Sequence, residues 1–479
     1  MDTKEHNRDS EAFLIEKTLE NGQQKLRDSN LRWLALAFAC FTCVGDYYCT
    51  NLFTALQPVI KEEFKLGEDN TKFNLLSSIG SLPGIVLPFV GGMFIDRLGV
   101  RPVYLFASIS AIIGYSIITF GIARVDFNLL IFGKLIAAFG SGPLYVSKSS
   151  MLVKWFAGKE LSVSLGAALV ISRLASSLDS IVSPRVYEWS HVLAYPFLIG
   201  VGVCVIAFMA VVSLCYIDKK ADLQEMNIQA WETATAKVST TEKPQQTLRD
   251  VLTLPTIYFL LILNVGLITP PLLVWNGNLA DLVVKRFSVP LVQAGELVPI
   301  LYYISFFMTP LVGFFVDKQG KRLYVLALVM VIFLFSHLYI CFLDDAPVET
   351  PNYDVIIGLI GIGIFYSTYS AVLWPSLALV VKKEFTGLAF GIGNSVQSIT
   401  GVIFPLAFAY VHDKTKDYKH GYFWSEIVAA ACVILGLFVL AIIVISDKRN
   451  GGRLQRAGTE REQDVVKVSR STSNADLLN

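Results

Sequence analysis

The chain has 479 residues, of which 54% are hydrophobic and only 16% are charged, and its mean hydropathy is +0.55. About 25% of the residues in soluble domains are charged, so this chain has too little polar surface for a water-soluble globule. Its net charge of +1 argues against a nucleic-acid partner, because phosphate binding requires clustered basic residues. The composition therefore predicts a protein that is embedded in a lipid bilayer.

Twelve apolar windows are long enough to cross a hydrocarbon core, which takes about 20 helical residues. Their apolar runs are continuous and do not alternate as the strands of a membrane barrel would. We therefore predict an all-α polytopic membrane protein with 12 transmembrane helices. The windows cover residues 33–58, 72–95, 102–123, 127–152, 161–184, 192–217, 254–280, 291–316, 323–343, 353–381, 386–411 and 422–446.

Polar segments divide these windows into two sets of six. Basic residues are more frequent in the loops on the side of the two tails, which predicts that both termini lie in the cytosol. We expect the polar central segment to be a cytosolic linker with a short amphipathic helix near residues 222–234. The predicted order is a cytosolic N-terminal tail, a six-helix bundle, the linker, a second six-helix bundle and a disordered cytosolic tail, at residues 1–32, 33–217, 218–252, 253–446 and 447–479.

One charged motif follows the second window of each set. Residues 91–102 are GGMFIDRLGVRP and residues 312–322 are VGFFVDKQGKR, which indicates an internal duplication of the chain. The glycine four positions before the aspartate lets neighbouring helices approach closely, and the aspartate can meet basic groups or a helix N-terminus. We predict that the two copies form a conformational latch from Gly92, Asp96, Arg97, Gly99, Arg101, Gly313, Asp317, Lys318, Gly320 and Lys321.

Both copies follow the form G-x-x-x-D-[RK]-x-G-[RK]-[RK], with Val100 as the one departure, and this form resembles the signature loop of the major facilitator superfamily. The resemblance covers residues 31–447. It implies two pseudo-symmetric six-helix bundles that rock about a central site and so expose that site to each side of the membrane in turn.

Five shorter segments resemble the lysosomal dipeptide uniporter branch of that superfamily and occur in the right order. The resemblance implies facilitated export of dipeptides from the lysosome and a glycosylated single-span accessory membrane protein that shields the carrier. The chain has no N-x-[ST] sequon for its own glycosylation. This agrees with a carrier that is shielded by the glycans of its partner, and equally with a non-lysosomal location. The segments are GDYYCTNLFTALQ (45–57), WFAGKEL (155–161), ISRLAS (171–176), LWP (373–375) and GLAFGIGNSVQ (387–397).

Two ionisable residues stand near the middle of predicted spans, where their burial is costly unless they are paired or hydrated. They are Asp46 in span one and Arg173 in span five. A guanidinium binds a carboxylate through two parallel hydrogen bonds, and the resemblance implies a substrate-binding arginine at position 173. The alternative is a structural arginine that is tied to Asp46.

Span four departs from the pattern of the branch, which has Gly-Gly-Glu-Ser with an acid that would meet the amino group of the substrate. This chain has SGPL at 141–144, so Gly142 occupies the acidic place. Asp46, in contrast, stands where the branch has a small hydroxyl residue. We therefore expect that the anion has moved from span four to span one and still faces Arg173.

Other residues within or near the spans are weaker candidates. Lys134 and Lys148 either form a polar relay or extend their amines to the membrane surface. Asp281 and Glu296 are either gate residues or solvated. Further substrate contacts are predicted from residues that could instead be packing or interface anchors, namely Asn51, Trp275, Asn276, Tyr302, Tyr366, Trp374, Asn394 and Gln397.

Enzyme signatures are missing from the sequence. His337, the one histidine within a span, has no acidic or cysteine partner at ligand spacing, so we expect it to pack as a lone polar residue. Glu426 is shallow in span twelve, and we expect it to be solvated. There is no phosphate-binding glycine loop, so we expect neither ATP-driven pumping nor a metal or other cofactor.

These observations favour a carrier rather than an enzyme. We expect it to move dipeptides, or similar small zwitterionic or anionic metabolites, out of the lysosome as a uniporter with a rocker-switch movement. One alternative is a proton-coupled symporter of an organic anion or another small solute, in which Asp46 titrates. A second is a non-transporting membrane receptor or scaffold, in which Asp46 and Arg173 form a static pair.

Overall fold

The computed structural model describes residues 27, 29–66, 70–87, 94–95, 97–156, 160–235, 254–347, 350–381, 385–449, 451–452 and 454–456. Helices dominate this part of the chain, and two short 3-10 turns lie at Pro83–Ile85 and Lys419–Gly421. The α-helices are α1 Leu31–Phe41, α2 Val44–Ala55, α3 Gln57–Glu63, α4 Asn70–Ser81, α5 Val100–Arg124, α6 Phe127–Phe156, α7 Leu161–Ser190, α8 Ala194–Thr235, α9 Thr256–Phe287, α10 Leu291–Leu297, α11 Ile300–Gln319, α12 Arg322–Phe342, α13 Val355–Val380, α14 Thr386–Lys414 and α15 Tyr422–Arg449.

Ten of the described helical stretches are long and apolar enough to cross a membrane, and they correspond to predicted spans three to twelve. The first two predicted spans are divided into shorter helices. Cys43 (φ −100°, ψ 0°) and Leu56 (φ −110°, ψ 15°) depart from α-helical geometry and split span one into α1, α2 and α3. Pro83 interrupts span two after α4. The helices agree with the predicted all-α fold of 12 spans.

The buried apolar residues form separate cores in the two halves of the chain. One core consists of residues between 254 and 454, and two further cores consist of residues between 35 and 221. The halves meet where α4 packs against α14 and where α7 packs against α11. Spans two and five therefore face spans eleven and eight across the interface between the halves.

The central segment begins differently from the prediction. The short amphipathic helix expected near residues 222–234 is not a separate element, because α8 runs unbroken from span six to Thr235. Ion pairs hold this extension against its neighbours: Asp218 and Asp222 bind Lys154 at 2.8 Å each. These ion pairs join the first turns of the extension to α6.

We call the end of the molecule where α1 begins, at Leu31, and where the extension of α8 lies the tail face, and the opposite end the distal face. At the tail face Arg27 binds Asp218 at 3.2 Å and Glu225 at 2.5 Å. Arg101, from the first copy of the duplicated motif, binds Asp222 at 2.6 Å. These contacts fasten the start of the chain to the extension of α8.

The duplicated motif has one geometric feature in both copies. Gly99 and Gly320 occupy corresponding places and have φ values of +85° and +70°, a region that favours glycine. Gly92, Asp96 and the side chain of Asp317 lie outside the described residues, so the latch remains a prediction.

Three further members of the latch are described. Lys318 is exposed, with its amine 6.0 Å from the ring centroid of Phe314, and the exposed Lys321 donates its backbone N–H to the carbonyl of Gln455 at 3.0 Å. Arg97 is exposed. The close packing expected at Gly313 is wrong in this conformation, because a Cβ placed there meets no atom within 4 Å.

Candidate functional site

Arg173 lies on α7, where that helix faces the C-terminal half. Its Nη1 donates a hydrogen bond to Thr309 Oγ1 of α11 at 3.2 Å, and its guanidinium carbon lies 4.5 Å from the ring centroid of Tyr366 on α13. The residue is only 4% exposed, and its Nε has no hydrogen-bond partner. Among the described residues no carboxylate lies within ion-pair distance of this guanidinium. A buried cation therefore stands between the two halves with neutral partners only.

Asp46 is equally buried but is bound by hydroxyl groups. It lies in the first turn of α2, where the helix dipole favours an anion. Tyr115 of α5 donates to its Oδ1 at 2.9 Å, and Ser141 of α6 donates to the same oxygen at 2.7 Å. The hydroxyl of Tyr145 donates to Oδ2. Three neutral donors thus bind the carboxylate, and in the described part of the chain no cation lies within ion-pair distance of it.

The expected pairing between Asp46 and Arg173 is not present. The donors of Asp46 come from α5 and α6 within the N-terminal half, whereas Arg173 is directed at α11 and α13 of the other half. Tyr47 links the two groups, since its ring packs against Tyr145 with centroids 5.4 Å apart and lies within electrostatic range of Arg173. The static ion pair of the receptor alternative is therefore absent from this conformation.

A polar chain crosses between the halves beside Arg173. Asn276 of α9 donates to the hydroxyl of Tyr302 at 3.2 Å, and this hydroxyl donates to Asn51 Oδ1 at 3.4 Å. Asn51 Nδ2 in turn donates to Asp179 Oδ2 at 3.0 Å, and Ser183 donates to Asp179 Oδ1 at 2.5 Å. Tyr302 also packs against Tyr366, with ring centroids 6.4 Å apart.

Asp179 was missed by the sequence reasoning. It is fully buried on α7, and among the described residues its carboxylate has hydrogen-bond donors but no cation within ion-pair distance. The signal was available, because an acid inside a membrane window is itself a marker of function. It was overlooked because it lies only five residues before the predicted end of span five.

The remaining predicted contacts lie apart from the guanidinium. Trp374 packs against Phe390 with centroids 6.0 Å apart, Asn394 is exposed and Gln397 is half-buried. None of these three side chains is hydrogen-bonded to Arg173. Trp275 is buried, and its Nε1 has no hydrogen-bond partner. The structure brings together Arg173, Asn51, Tyr302 and Tyr366 from the predicted set.

The two lysines of the predicted relay face aromatic rings. The amine of Lys134 lies 4.4 Å from the ring centroid of Phe53. The amine of Lys148 lies 5.7 Å from the centroid of Tyr145, the residue that also binds Asp46. Neither amine lies within 4 Å of a carboxylate in the described part of the chain, so the relay remains a prediction.

The distal face is held closed by contacts between the halves. Lys61 at the end of α3 forms an ion pair with Asp281 of α9 at 2.8 Å, and the side chains are 2% and 0% exposed. Gln57 Nε2 donates a hydrogen bond to Asn278 Oδ1 at 2.9 Å, and Asn74 and Asn278 exchange two hydrogen bonds at 3.2 and 3.1 Å. We call these five residues the distal gate. Asp281 is therefore buried and paired rather than solvated.

Two further contacts reinforce closure at the distal face. Asp413 of α14 accepts hydrogen bonds from the backbone N–H groups of Asn70 and Thr71, both at 3.0 Å. Glu296 forms an ion pair with Arg185, and both side chains are about half exposed. Glu296 is therefore solvated and also bridges α10 to α7.

The expectations for His337 and Glu426 are wrong. Glu426 is buried, with 1% of its side chain exposed, and its Oε2 lies 2.5 Å from Nδ1 of the fully buried His337. The two residues come from α12 and α15, so no spacing along the chain could reveal the pair. Span twelve begins at Tyr422, and packing against α9 and α12 shields its first turn from solvent.

The sequence profile described as Major Facilitator Superfamily matches residues 34–405 and 256–472. The chain belongs to the major facilitator superfamily. This membership, together with the spans, makes it a multi-pass membrane transporter of small solutes rather than an enzyme.

Several members of the superfamily align over most of the chain. The lysosomal dipeptide transporter MFSD1 of Homo sapiens is 26% identical over 443 residues, and that of Mus musculus is 27% identical over 444 residues. Each alignment covers 90% of this chain and 90% of the relative. The probable galactarate/D-glucarate transporter GarP of Escherichia coli strain K12 is 21% identical over 459 residues, which cover 90% of this chain and 98% of the relative.

Proposed function

We propose that this superfamily member carries dipeptides, or small zwitterionic metabolites of similar size, by alternating access. The observation that carries the proposal is the guanidinium of Arg173, which is buried between the halves without a counter-ion. A buried, unpaired cation is unfavourable, and a carboxylate that arrives with a solute removes this penalty through two charge-assisted hydrogen bonds. The carboxyl terminus of a peptide has the required charge and shape.

The position of Arg173 also supports coupling between binding and movement. The guanidinium belongs to α7 of one half, and its contacts Thr309 and Tyr366 belong to the other half. A carboxylate that binds in this place contacts both halves at once. In this conformation the distal gate is closed, so we infer that a solute that entered from the distal side is released toward the tail face from this conformation.

We propose that Asp46 receives the amino group of the solute in place of the acid that is missing at Gly142. Its carboxylate has neutral donors only, and Tyr47 joins its surroundings to those of Arg173. A Cβ at Gly142 would lie 3.4 Å from Leu87 Cβ, which is an ordinary van der Waals contact. Transport by Asp46→Ser and by the double variant Asp46→Ser with Gly142→Glu tests the replacement. Equal loss in both variants would contradict it.

The lysosomal membrane, passive uniport and a glycosylated single-span partner are also part of the proposal, with both termini in the cytosol. They are supported by relatives that are 26% and 27% identical and are named lysosomal dipeptide transporters. The latch of the duplicated motif would then act on the cytosolic side. Passive uniport predicts that liposome counterflow is insensitive to a pH gradient.

Proton-coupled transport of an organic anion is the second candidate. Two buried carboxylates, Asp46 and Asp179, have hydroxyl or amide partners in place of cations, and such groups can take up protons. A relative named as a probable galactarate/D-glucarate transporter supports an anionic solute. Counterflow that depends on a pH gradient, together with a preference for dicarboxylates over dipeptides, would favour this candidate.

A ligand screen on the purified protein tests the central proposal. Thermal shift is measured with dipeptides, single amino acids, sugars and organic acids. We expect stabilisation by dipeptides and roughly 100-fold weaker binding in Arg173→Gln, because two charge-assisted hydrogen bonds are lost. Arg173→Lys should retain part of the affinity. The matched control is Arg124→Gln, since Arg124 is exposed at the end of α5. Unchanged binding in Arg173→Gln would overturn the proposal.

A further inference from the structure

Two lysines lie on the same face of α6 as the hydroxyl groups that bind Asp46. Lys134 precedes Ser141 by seven residues and Lys148 follows it by seven, which is about two helical turns in each direction. Tyr145 lies between Ser141 and Lys148 on the same face. The carboxylate of Asp46 therefore lies between two basic side chains along α6, one nearer to the distal face and one nearer to the tail face.

Lys148 is buried among neutral groups. The residue is 8% exposed, and its amine lies 5.9 Å from the ring centroid of Tyr47 and 5.7 Å from that of Tyr145. The thiol of Cys43 is a further neighbour. No carboxylate in the described part of the chain lies within ion-pair distance of this amine. Lys148 is thus directed away from the membrane surface and, like Arg173, is a buried cation with neutral partners.

The two tyrosines connect this amine to both ends of the proposed solute site. The hydroxyl of Tyr145 donates to Asp46, and the ring of Tyr47 packs against that of Tyr145 with centroids 5.4 Å apart. Tyr47 also lies within electrostatic range of Arg173. A solute that binds Arg173 and Asp46 at once therefore lies along the rings that contact Lys148. Its side chain meets the amine when it is directed toward the tail face.

Lys134 is less suited to contact such a side chain. Its alkyl chain passes Gly80, where an added Cβ would lie 3.0 Å from the lysine Cε. Its amine lies 4.4 Å from the ring centroid of Phe53, which follows Asp46 by about two turns of α2 toward the distal gate. In this conformation the distal gate is closed, so Lys134 faces the closed end of the site.

The charges around the proposed site do not balance. The α13 helix, which Arg173 contacts, contains no charged residue, and α11 has charged residues only in its last turn. A zwitterion brings no net charge and leaves an excess of one positive charge, which a solute with one more carboxylate than amino groups removes. The described spans of the N-terminal half contribute three basic and two acidic residues here, namely Arg173, Lys134, Lys148, Asp46 and Asp179.

We propose that the carrier prefers solutes with a second carboxylate, above all dipeptides with an aspartate or glutamate side chain, and that Lys148 binds this carboxylate. The preference rests on the proposed function, because Arg173 and Asp46 hold the two ends of the peptide. An amine is a compact charge with rotatable donors, so it binds carboxylates that arrive from different directions. One lysine therefore serves acidic side chains of both lengths.

The experiment compares ligands that differ in charge but hardly in size. Binding of Ala-Glu and Ala-Gln, and of Asp-Ala and Asn-Ala, is measured on the purified full-length protein by isothermal titration calorimetry. We expect the acidic dipeptide to bind about 10-fold more tightly than its amide in at least one pair, because it forms one more hydrogen bond between charged groups. Equal affinities within both pairs overturn the proposal.

Variants of the two lysines assign the preference. Lys148→Met keeps an alkyl chain against the tyrosine rings without the charge, so the preference should disappear while the affinity for the amide dipeptides stays unchanged. Lys148→Gln, a second neutral variant, should behave in the same way. Lys148→Arg retains the charge and should retain the preference. Lys134→Met is the matched control on the same helix face and should retain it too.

Two results with these variants overturn the proposal. Equal weakening of acidic and amide dipeptides in Lys148→Met is the effect of a structural residue. A preference that persists in Lys148→Met and disappears in Lys134→Met assigns the second carboxylate to the other lysine. Melting temperatures of the unliganded variants show that the proteins compared are folded.

The proposed function and the acidic preference can fail separately. If none of the four dipeptides binds, the proposed function is contradicted, and the preference with it. If all four bind with equal affinity and Arg173→Gln weakens all of them, the preference alone is contradicted.

Discussion

The distal face and the centre of the molecule both bury charged side chains, but they treat them differently. At the distal face Lys61 is paired with Asp281, and Arg286 binds Asp345 together with three backbone carbonyls. In the centre Arg173 contacts a hydroxyl and a ring, and Asp46 contacts hydroxyls. The charged side chains at the distal face bind groups of the protein itself and so stabilise the closed conformation. We propose that the charges in the centre, whose partners are neutral, bind oppositely charged groups of a solute.

The sharpest test of this comparison sets two buried arginines against each other. Arg286→Gln removes the charge-assisted hydrogen bonds to Asp345 and to three carbonyls, of which Lys419 still binds two, so we expect a loss of about 3–5 kcal/mol in stability. Arg173→Gln removes a cation that has no counter-ion, and we expect the melting temperature to stay or to rise. Melting temperatures of the two purified variants check the expectation. Equal losses would show that Arg173 is structural, as Arg286 is.

A smaller effect is expected from opening the distal gate. Lys61→Gln leaves Asp281 buried with Tyr422 and Lys285 as its remaining partners, so the closed state should lose about 3 kcal/mol. The distance between labels on opposite halves at the distal face should then increase. Exchange of the two charges, as Lys61→Asp with Asp281→Lys, is the matched control and should recover part of the closure. An unchanged distance between the labels in Lys61→Gln would show that the Lys61–Asp281 pair does not hold the distal face closed.

Neutralising the central acid should affect solute binding rather than stability. Asp46→Asn retains an acceptor for Tyr115 and Ser141, so we expect the melting temperature to change little. If the amino group of a dipeptide binds here, its affinity should fall by about 2 kcal/mol, the contribution of a hydrogen bond to a charged group. N-acetylated dipeptides lack that charge and serve as the control. Equal weakening of both ligands would contradict the assignment.

The smallest effect is expected at the exposed ion pair of the distal face. Arg185 and Glu296 join α7 to α10, but their side chains are 44% and 50% exposed. Solvent screens such a pair, so Arg185→Gln should change the stability of the closed state by less than about 1 kcal/mol. The same label distances measure it. If Arg185→Gln destabilised the closed state as much as Lys61→Gln, then the burial of an ion pair would not determine how much it contributes to closure.

The sequence was sufficient for what depends on composition and local pattern. Apolar windows predicted spans three to twelve, and the repeated motif predicted the division into halves. Arg173 could be selected because a guanidinium in mid-span is informative without any knowledge of its neighbours. The break at Leu56 had a local signal that was overlooked, because Pro58 follows it and stands in the first turn of α3. The break at Cys43 had no such signal, since no helix breaker adjoins it on its N-terminal side.

Pairings between distant parts of the chain were also out of reach. His337 and Glu426 are 89 positions apart, and Lys61 and Asp281 are 220 positions apart. Each residue alone had an ordinary interpretation as a packed or solvated side chain. The prediction that Asp46 faces Arg173 was wrong for the same reason. The hydroxyl groups that bind Asp46 come from α5 and α6, which are distant from it in sequence.

The length of α8 has a mechanical consequence. Its 42 residues extend about 63 Å, roughly twice the thickness of a hydrocarbon core, so a long rod projects from the tail face. The 18 residues from Asp218 to Thr235 lie beyond predicted span six and account for about 27 Å of this length. A small tilt of the first bundle therefore becomes a larger sideways displacement at the far end of α8.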